Sequence, residues 1–359
     1  LLYPYYKTKS GSYNRYLLLE RLFKNIKIPV KLIILNQIDS NSEIIKILIR
    51  IIKFIRIEFL IFFYVIIKDY YFITDFNPSI IGLFSKKVII QIHDLSWENI
   101  NFKRHSMSLH KIFKFFIKNY SNILTVSKTS LKSLVKITNK KNKASYLYNS
   151  VNYEFIVSSN KIGRMNNPHQ NNLFSKSINI KLPNIIYIAT LSARKCHSDL
   201  LKALSETNSS LIVNLIGYPN DKNIEKIIRS NTYINCKQIR SYINYFPQLS
   251  QIDLCILLMY SSAYVSTSLD EGFGIPLLEA KLYGLPLIVR DIEINKELFP
   301  EANYFKTTKQ LSKLLSVIRP LSEKDIQIRK KLLLEMNENN LVQNFNYSEL
   351  SNSLTDLFQ

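Results

Sequence analysis

The sequence predicts an α/β protein of two domains, each built on a parallel β-sheet covered by helices. Three observations predict it. Short runs of β-branched residues alternate with helical patterns along the whole chain, as in parallel sheets with helical crossovers. A length of 359 residues exceeds one ordinary α/β domain and suits two. A polar stretch without apolar periodicity separates the halves between residues 158 and 183.

The alternation predicts strands in both halves. They are Val30–Leu35, Tyr70–Thr74, Lys87–His93, Asn122–Ser127 and Ala144–Tyr148, followed by Asn184–Thr190, Ser210–Gly217, Ala263–Ser268 and Leu285–Asp291. We predict a first domain at residues 1–165, a linker at 166–183 and a second domain at 184–330. Residues 331–359 are expected to form a helix that packs back on the first domain.

The charge of the chain is strongly positive, and the excess lies in the first half. The formal net charge is +21, and residues 1–160 carry 25 Lys and Arg against 9 Asp and Glu. Such a field attracts a membrane surface, a nucleic acid or a phosphorylated ligand, and charge alone does not choose among them. Residues 43–68 and Phe102–Tyr120 combine basic and apolar residues at helical spacing. They are either ordinary surface helices with solvated lysines or helices that dock on an anionic bilayer.

Several classes of protein are disfavoured. Cys196, Cys236 and Cys255 form no C-x-x-C pair, which argues against a disulfide framework or a structural zinc site and suits a reducing cytosol. The apolar run Phe59–Ile67 is far shorter than the roughly 20 residues that a spanning helix requires. The start of the chain does not show the order of a signal peptide. No D-x-D and no cluster of His, Asp and Glu suggests a metal site. We expect a cytoplasmic protein, either free or bound peripherally at the inner leaflet of the plasma membrane.

A glycine cluster marks the candidate ligand site. Only 7 residues are glycine, yet Gly272, Gly274 and Gly284 lie close together. The string AYVSTSLDEGFGIPLLEAKLYGLPLIVRD predicts a strand, a glycine loop, a helix that starts near Pro276 and a stop at Gly284. The N–H groups at such a helix start, with glycines that allow close approach, can bind a phosphate or the hydroxyls of a sugar.

Two glutamates belong to this unit, Glu271 in the loop and Glu279 in the helix. A carboxylate suits a diphosphate poorly but accepts hydrogen bonds from a vicinal diol in a bidentate way. The pair therefore favours recognition of sugar hydroxyls. The alternative for each glutamate alone is a solvated loop residue and a residue that complements the helix dipole.

The string E-G-F-G-I-P-L-L-E, followed by A-K-L-Y-G-L-P-L-I-V, resembles the E-x7-E signature of family 4 (group 1) retaining glycosyltransferases. These enzymes have the GT-B fold of two facing Rossmann-like domains with a cleft between them. The resemblance implies that the first glutamate and the loop amides meet the donor sugar, whereas the second glutamate holds the nucleotide ribose. These roles would fall on Glu271, Gly272, Phe273, Gly274 and Glu279.

Two further segments extend the resemblance. Tyr187–Lys195 (YIATLSARK) is similar to the family's V-G-T-x-x-x-R-K turn, although Ala189 stands where the family usually has glycine. The resemblance makes Arg194 and Lys195 candidates to neutralise the leaving nucleoside diphosphate, a sensible role where no metal site is visible. Gln91–Trp97 (QIHDLSW) resembles the family's I-H-D-L-S segment. His93 would contact the donor sugar or the acceptor, since ligands sit at the carboxyl ends of strands in open α/β sheets; a packed or capping histidine is the alternative.

Near the start, Ser10–Tyr16 (SGSYNRY) resembles the family's G-x-x-R-Y loop, in which Gly11 would approach the donor phosphates. This loop normally follows the first strand of the N-terminal sheet. No strand is predicted before it, so we expect that sheet to lack its first strand.

The resemblance implies transfer of a hexose, with retention of configuration, from a nucleotide sugar to a saccharide acceptor. GDP-mannose is the favoured donor, and a lipid-linked saccharide of a bacterial surface polysaccharide is the favoured acceptor. The nucleotide sugar is a substrate, and no cofactor or nucleic-acid partner is expected. One alternative is a truncated or catalytically impaired relative. Another is a basic nucleic-acid-binding protein, which would leave Glu271 and Glu279 unexplained.

Overall fold

A computed structural model gives the fold of the chain, and contacts divide it into two compact units that part between Ser150 and Val151. The structure describes residues 2–6, 31–35, 52, 54–68, 72–75, 79–93, 95, 107–138, 144–151, 153–165, 181–233 and 241–336.

The first unit contains a parallel sheet in the order β2-β1-β3-β4-β5-β6. Its strands are β1 (Leu2–Tyr6), β2 (Lys31–Leu35), β3 (Phe72–Asp75), β4 (Val88–Ile92), β5 (Asn122–Thr125) and β6 (Ala144–Tyr146). Strands β4 and β5 are buried along their length, as expected where helices cover both faces of a parallel sheet.

The second unit contains a parallel sheet in the order β12-β11-β10-β7-β8-β9. Its strands are β7 (Asn184–Ile188), β8 (Ile212–Ile216), β9 (Tyr242–Phe246), β10 (Ala263–Ser266), β11 (Leu287–Arg290) and β12 (Asn303–Phe305). Counted from the start of the unit, this is the order 3-2-1-4-5-6 of dinucleotide-binding folds. The order reverses between β7 and β10, which makes their carboxyl ends the expected ligand crevice.

Helices connect the strands. In the first unit, residues 54–61 continue into the π-helix Phe62–Ile67, and Ile81–Phe84, Met107–Asn119 and Lys128–Thr138 follow. In the second unit the α-helices are Tyr153–Arg164, His197–Glu206, Lys222–Tyr233, Gln251–Met259, Ile275–Leu282, Glu293–Leu298, Thr308–Ser316 and Glu323–Glu335. None of the helices in the described ranges is long and apolar enough to cross a membrane.

The predicted fold class is confirmed, and each predicted strand is present with shifted ends. The expected absence of a first strand is wrong, because β1 pairs in parallel with β2 from Leu2 opposite Lys31 to Tyr6 opposite Leu35. Pro4 interrupts the run LYPYY, and proline within a run argues against a paired strand. Strands β9 and β12 were not predicted from the sequence.

The structure places the helix Tyr153–Arg164 in the second unit, although the sequence assigned residues up to 165 to the first domain. Its packing explains the placement, because it lies against Gln251–Met259 and Glu323–Glu335. The hydroxyl of Ser159 is 2.9 Å from that of Tyr283, and both side chains are buried. Most of the predicted linker, residues 166–180, and residues 337–359 lie outside the described residues.

Close backbone packing joins the turns after β7 and β8. The N–H of Ala189 donates to the carbonyl of Ile216 at 2.8 Å, and the N–H of Leu191 donates to that of Tyr218 at 3.0 Å. Gly217 lies between these contacts with φ +157°, and a Cβ atom there would be 1.9 Å from the carbonyl oxygen of Ala189. Only glycine allows the turn after β7 to come this close.

We therefore expect Gly217→Ala to lower the free energy of unfolding by about 3 kcal/mol or more, since its Cβ would strike backbone. The matched control is Gly284→Ala. Gly284 also has a positive φ of +66°, but its nearest neighbour is the flexible Cδ1 of Leu332 at 3.2 Å. The control should cost about 1–2 kcal/mol, the usual penalty for a left-handed residue. Urea unfolding measures both, and equal costs would contradict the close-packing argument.

Candidate active site

Two adjacent strand ends position the candidate site. Strands β7 and β10 pair in parallel, with Ala263 opposite Ile185 and Tyr264 opposite Ile186. Their carboxyl ends therefore lie side by side, and each runs directly into a segment that the sequence singled out. Residues 189–195 follow β7, and residues 267–274 follow β10.

Hydrogen bonds from buried hydroxyl groups hold the turn after β7 in place. Ala193–Lys195 forms one turn of 3₁₀ helix, and Cys196 takes a left-handed conformation with φ 46° before the helix His197–Glu206. The hydroxyl of Tyr187 donates to the carbonyl of Lys195 at 2.7 Å. The hydroxyl of Thr267 donates to the same carbonyl at 2.8 Å and to that of Cys196 at 2.9 Å. These bonds hold the backbone of the turn against the end of β10.

The fixed turn brings Arg194 and Lys195 to Glu271. The Nζ of Lys195 forms an ion pair with Oε1 of Glu271, and Nη1 of Arg194 lies 3.9 Å from Oε2 of the same carboxylate. Arg194 also donates to the carbonyl of Asp270 at 2.9 Å. Lys195 is buried, and the side chain of Glu271 is only 15% exposed. Partial burial strengthens these interactions relative to a pair in open water.

The glycine loop leads from Glu271 into the helix Ile275–Leu282. Gly274 precedes the helix with φ +85°, and Pro276 lies in its first turn, where a missing N–H costs nothing. Phe273 is 3% exposed and anchors the loop in the core, while Gly272 beside it is also buried. The helix stops before Gly284, as the sequence predicts. The start of this helix is thus held next to the Lys195–Glu271 pair.

Glu279 lies in the same helix and is 7% exposed. Burial raises the pKa of its carboxyl group to about 8, and no hydrogen bond or charge within the described residues offsets that effect. At neutral pH the carboxyl group is therefore mainly protonated. A buried acid without partners among the described residues is costly and is typical of functional sites.

His197 is a site residue that the sequence reasoning missed. Its ring stacks on that of Tyr187 with centroids 4.8 Å apart, and it is 2% exposed. Burial, followed by the positive charge of Lys195, lowers the pKa of His197 to about 4. The imidazole is therefore neutral and supports the turn without adding charge. In the sequence, its position directly after Arg194, Lys195 and Cys196 was the one feature that could have indicated a role in the site.

Arg290 was also missed. It ends β11, donates from Nε to the carbonyl of Thr267 at 2.9 Å and forms an ion pair with Asp199. Its guanidinium group also lies over the ring of Phe305, 5.2 Å from the centroid. Arg290 thus fixes Thr267, whose hydroxyl in turn fixes Lys195. No local pattern in the sequence indicates this linkage, because the partners come from three separate segments.

The candidates in the first half belong to the first unit. His93 follows β4, and its Nε2 lies 3.1 Å from the amide nitrogen of the buried Gln91. Gly11 lies outside the described residues. Within the described ranges, no group of three or more His, Cys, Asp and Glu side chains could hold a metal ion.

Part of the chain is similar to known proteins. Residues 169–339 match the model of the family described as glycosyl transferases group 1. A serotype-specific mannosyltransferase WbdA of Escherichia coli is 32% identical over 129 residues, which cover 34% of this chain and 15% of that relative. The match thus spans a small part of the relative's length.

Solved structures share the whole fold. The E. coli trehalose-6-phosphate structure bound with UDP-2-fluoro glucose covers 100% of this chain and 98% of its own, with a TM-score of 0.64 and 10% identity. HepE of Anabaena, in complex with UDP and glucose, covers 99% and 98% with a TM-score of 0.58 and 12% identity. WaaG, a glycosyltransferase involved in lipopolysaccharide biosynthesis, covers 96% and 98% with a TM-score of 0.63 and 10% identity.

The two parallel sheets and the strand-end site define the class: this is an α/β protein with the fold of GT-B glycosyltransferases. The part of the chain that resembles the group 1 glycosyltransferases, residues 169–339, lies in the second unit.

The buried acid generates a pH prediction. The pKa of Glu279 is raised from 4.5 to about 8 in the folded protein, so its contribution to stability is present at low pH and is lost as the pH rises through this window. Between these values, wild-type stability should fall by about 1.4 kcal/mol per pH unit relative to Glu279→Gln. Urea unfolding of the ligand-free proteins measures the difference. Parallel pH profiles for the two proteins would contradict the assignment.

Proposed function

We propose that this protein is a retaining glycosyltransferase that transfers a hexose from a nucleoside diphosphate sugar to a saccharide acceptor, with GDP-mannose as the favoured donor. The observation that carries the proposal is the convergence of Arg194 and Lys195 on Glu271 beside the start of the helix Ile275–Leu282. The similarity to a mannosyltransferase favours mannose. Bound UDP in solved structures of the same fold supports a nucleotide-sugar donor.

The ion pair suggests how the donor enters. Without ligand, Glu271 neutralises Lys195 and lies near Arg194. A diphosphate competes for both cations, because phosphate oxygens accept charge-assisted hydrogen bonds strongly. Glu271 is then released to accept hydrogen bonds from the sugar hydroxyls, next to the amides of Gly272, Phe273 and Gly274.

The same cations serve the chemical step in this proposal. As the glycosidic bond breaks, negative charge collects on the departing diphosphate, and fixed positive groups stabilise that charge. Arg194 and Lys195 would supply these positive groups without a metal ion. Attack of the acceptor on the face that the diphosphate leaves would retain the anomeric configuration. Glu279 holds the ribose, while His93 and Gly11 in the first unit keep their proposed contacts with the acceptor or the donor.

We further propose a lipid-linked saccharide of a surface polysaccharide as the acceptor and a peripheral site at the inner leaflet of the plasma membrane. The alternative of a truncated or impaired relative loses one of its reasons, since β1 is present. The alternative of a nucleic-acid-binding protein rests on the net charge and gives the buried acid and the ion pair no role.

Calorimetry tests donor binding directly. GDP-mannose should bind more tightly than UDP-glucose or free UDP. Lys195→Met keeps the aliphatic stem but removes the charge, and it should weaken donor binding by about 10- to 100-fold, the value of one charge-assisted hydrogen bond. Lys202→Met removes an exposed charge from the helix that follows and should leave the affinity unchanged. Absence of binding by every nucleotide sugar would overturn the proposal.

The protonated Glu279 gives a second, independent readout. A carboxylate that accepts two hydrogen bonds from the ribose diol must first lose its proton, because the pKa of free Glu279 is about 8. Donor binding near pH 7 should therefore release a proton, and the measured binding enthalpy should vary with the ionisation enthalpy of the buffer. In Glu279→Gln the buffer dependence should disappear and affinity should fall. Persistence of the same proton release in that variant would remove the ribose assignment.

A further inference from the structure

The helix of residues 54–67 is apolar on its core face and also on its outer face. Ile57, Ile61 and Val65 are at most 6% exposed and belong to a core cluster with β4 and β5. Exposed apolar residues follow one another at spacings of three and four along the same segment. They are Ile52, Ile55, Phe59, Phe62 and Ile66, with exposures of 61, 60, 65, 48 and 54%. We call these five residues the outer stripe.

This arrangement differs from that of an ordinary surface helix, whose outer face is polar. The outer stripe lies on a different side of the helix from the residues that enter the core. A continuous row of large exposed apolar side chains on a soluble fold marks an interaction surface.

The charges near the outer stripe are positive. Glu58, the acidic residue of the segment 54–68, is turned to the protein and accepts hydrogen bonds from the N–H groups of Ile80 and Ile81 at 2.9 and 3.2 Å. Arg56 and Lys68 are exposed on the same segment. The bonds of Glu58 also join the segment to the short helix Ile81–Phe84, whose last residue, Phe84, is 86% exposed.

We propose that the outer stripe docks on an anionic lipid bilayer, with its apolar side chains among the acyl chains and Arg56 and Lys68 at the headgroups. The choice of a lipid surface rests on the lipid-linked acceptor in the proposed function. It also rests on charge. A second copy of a chain with net charge +21 would repel the first, whereas an anionic leaflet attracts the basic first unit. The segment lies in the interface and does not span it.

Vesicle flotation of the full chain tests the inference. Wild-type protein should float with vesicles of phosphatidylcholine mixed with phosphatidylglycerol and should bind vesicles of phosphatidylcholine alone much less. Phe59→Ser combined with Phe62→Ser should reduce binding to anionic vesicles at least about tenfold. Arg56→Gln combined with Lys68→Gln should also reduce it about tenfold, with a smaller effect of added salt than in the wild type.

The matched control replaces exposed apolar residues of the second unit. Ile227 and Val317 are 50 and 71% exposed, and Ile227→Ser combined with Val317→Ser should leave vesicle binding unchanged. Equal losses in both pairs of serine variants, or equal binding to the two kinds of vesicle, would overturn the inference. So would a wild-type dimer, measured by light scattering, that Phe59→Ser with Phe62→Ser converts to a monomer.

Two measurements separate this inference from the donor site and from misfolding. Calorimetry with GDP-mannose on the same variants should give wild-type affinity. Wild-type protein that binds GDP-mannose but not anionic vesicles would overturn the docking surface alone. Wild-type protein that binds anionic vesicles but no nucleotide sugar would overturn the proposed function alone. Phe59→Trp supplies a variant without loss of apolar surface. Brominated lipids should quench its added fluorescence, and they should not quench that of Val317→Trp.

Discussion

The parallel pairing of β7 with β10 is the constraint on which the site depends. It joins the first strand of the second unit to a strand more than 70 residues later. Because the sheet reverses its winding between these strands, their carboxyl ends border the crevice where ligands bind in open α/β sheets. Lys195 and Glu271 are distant in sequence, but each follows the carboxyl end of one of these strands. The pairing of β7 with β10 therefore brings them together.

The polar groups of the site have low solvent exposure, and only some of them have hydrogen-bond partners. Around the turn after β7, the carbonyls of Lys195 and Cys196 receive hydrogen bonds from Tyr187 and Thr267. Those groups form a rigid frame. Glu279, in contrast, is left buried as an acid with a raised pKa. Because burial disfavours the charged form of this carboxyl group, Glu279 is a destabilising feature at neutral pH that ligand binding can relieve.

Much of this architecture could be predicted from the sequence, because its signals are local. The run Asn184–Ile188 is β-branched and buried, and the glycines at 272, 274 and 284 mark where the chain must turn. The missed features are those that local patterns do not encode. Pro4 made the sequence of β1 look unlike a paired strand, and β1 is stabilised by its pairing with β2. Arg290 and His197 acquire their roles only through contacts with Thr267 and Tyr187, which the sheet brings near.

The exposed face of the helix of residues 54–67 is another feature that local sequence patterns do not encode. The sequence predicted that residues 43–68 are amphipathic and basic, either as an ordinary surface helix or as a helix that docks on a bilayer. Within the described part of this segment, the structure shows which apolar residues enter the core. The core buries Ile57, Ile61 and Val65 and contacts the partly buried Leu60 and Tyr64, whereas the five residues of the outer stripe stay exposed. A strict reading of periodicity assumes that one apolar face meets one core. Where a segment carries more apolar residues than its own core can accept, the excess implies a second apolar environment, and the exposure of Phe59 and Phe62 shows which face would meet it.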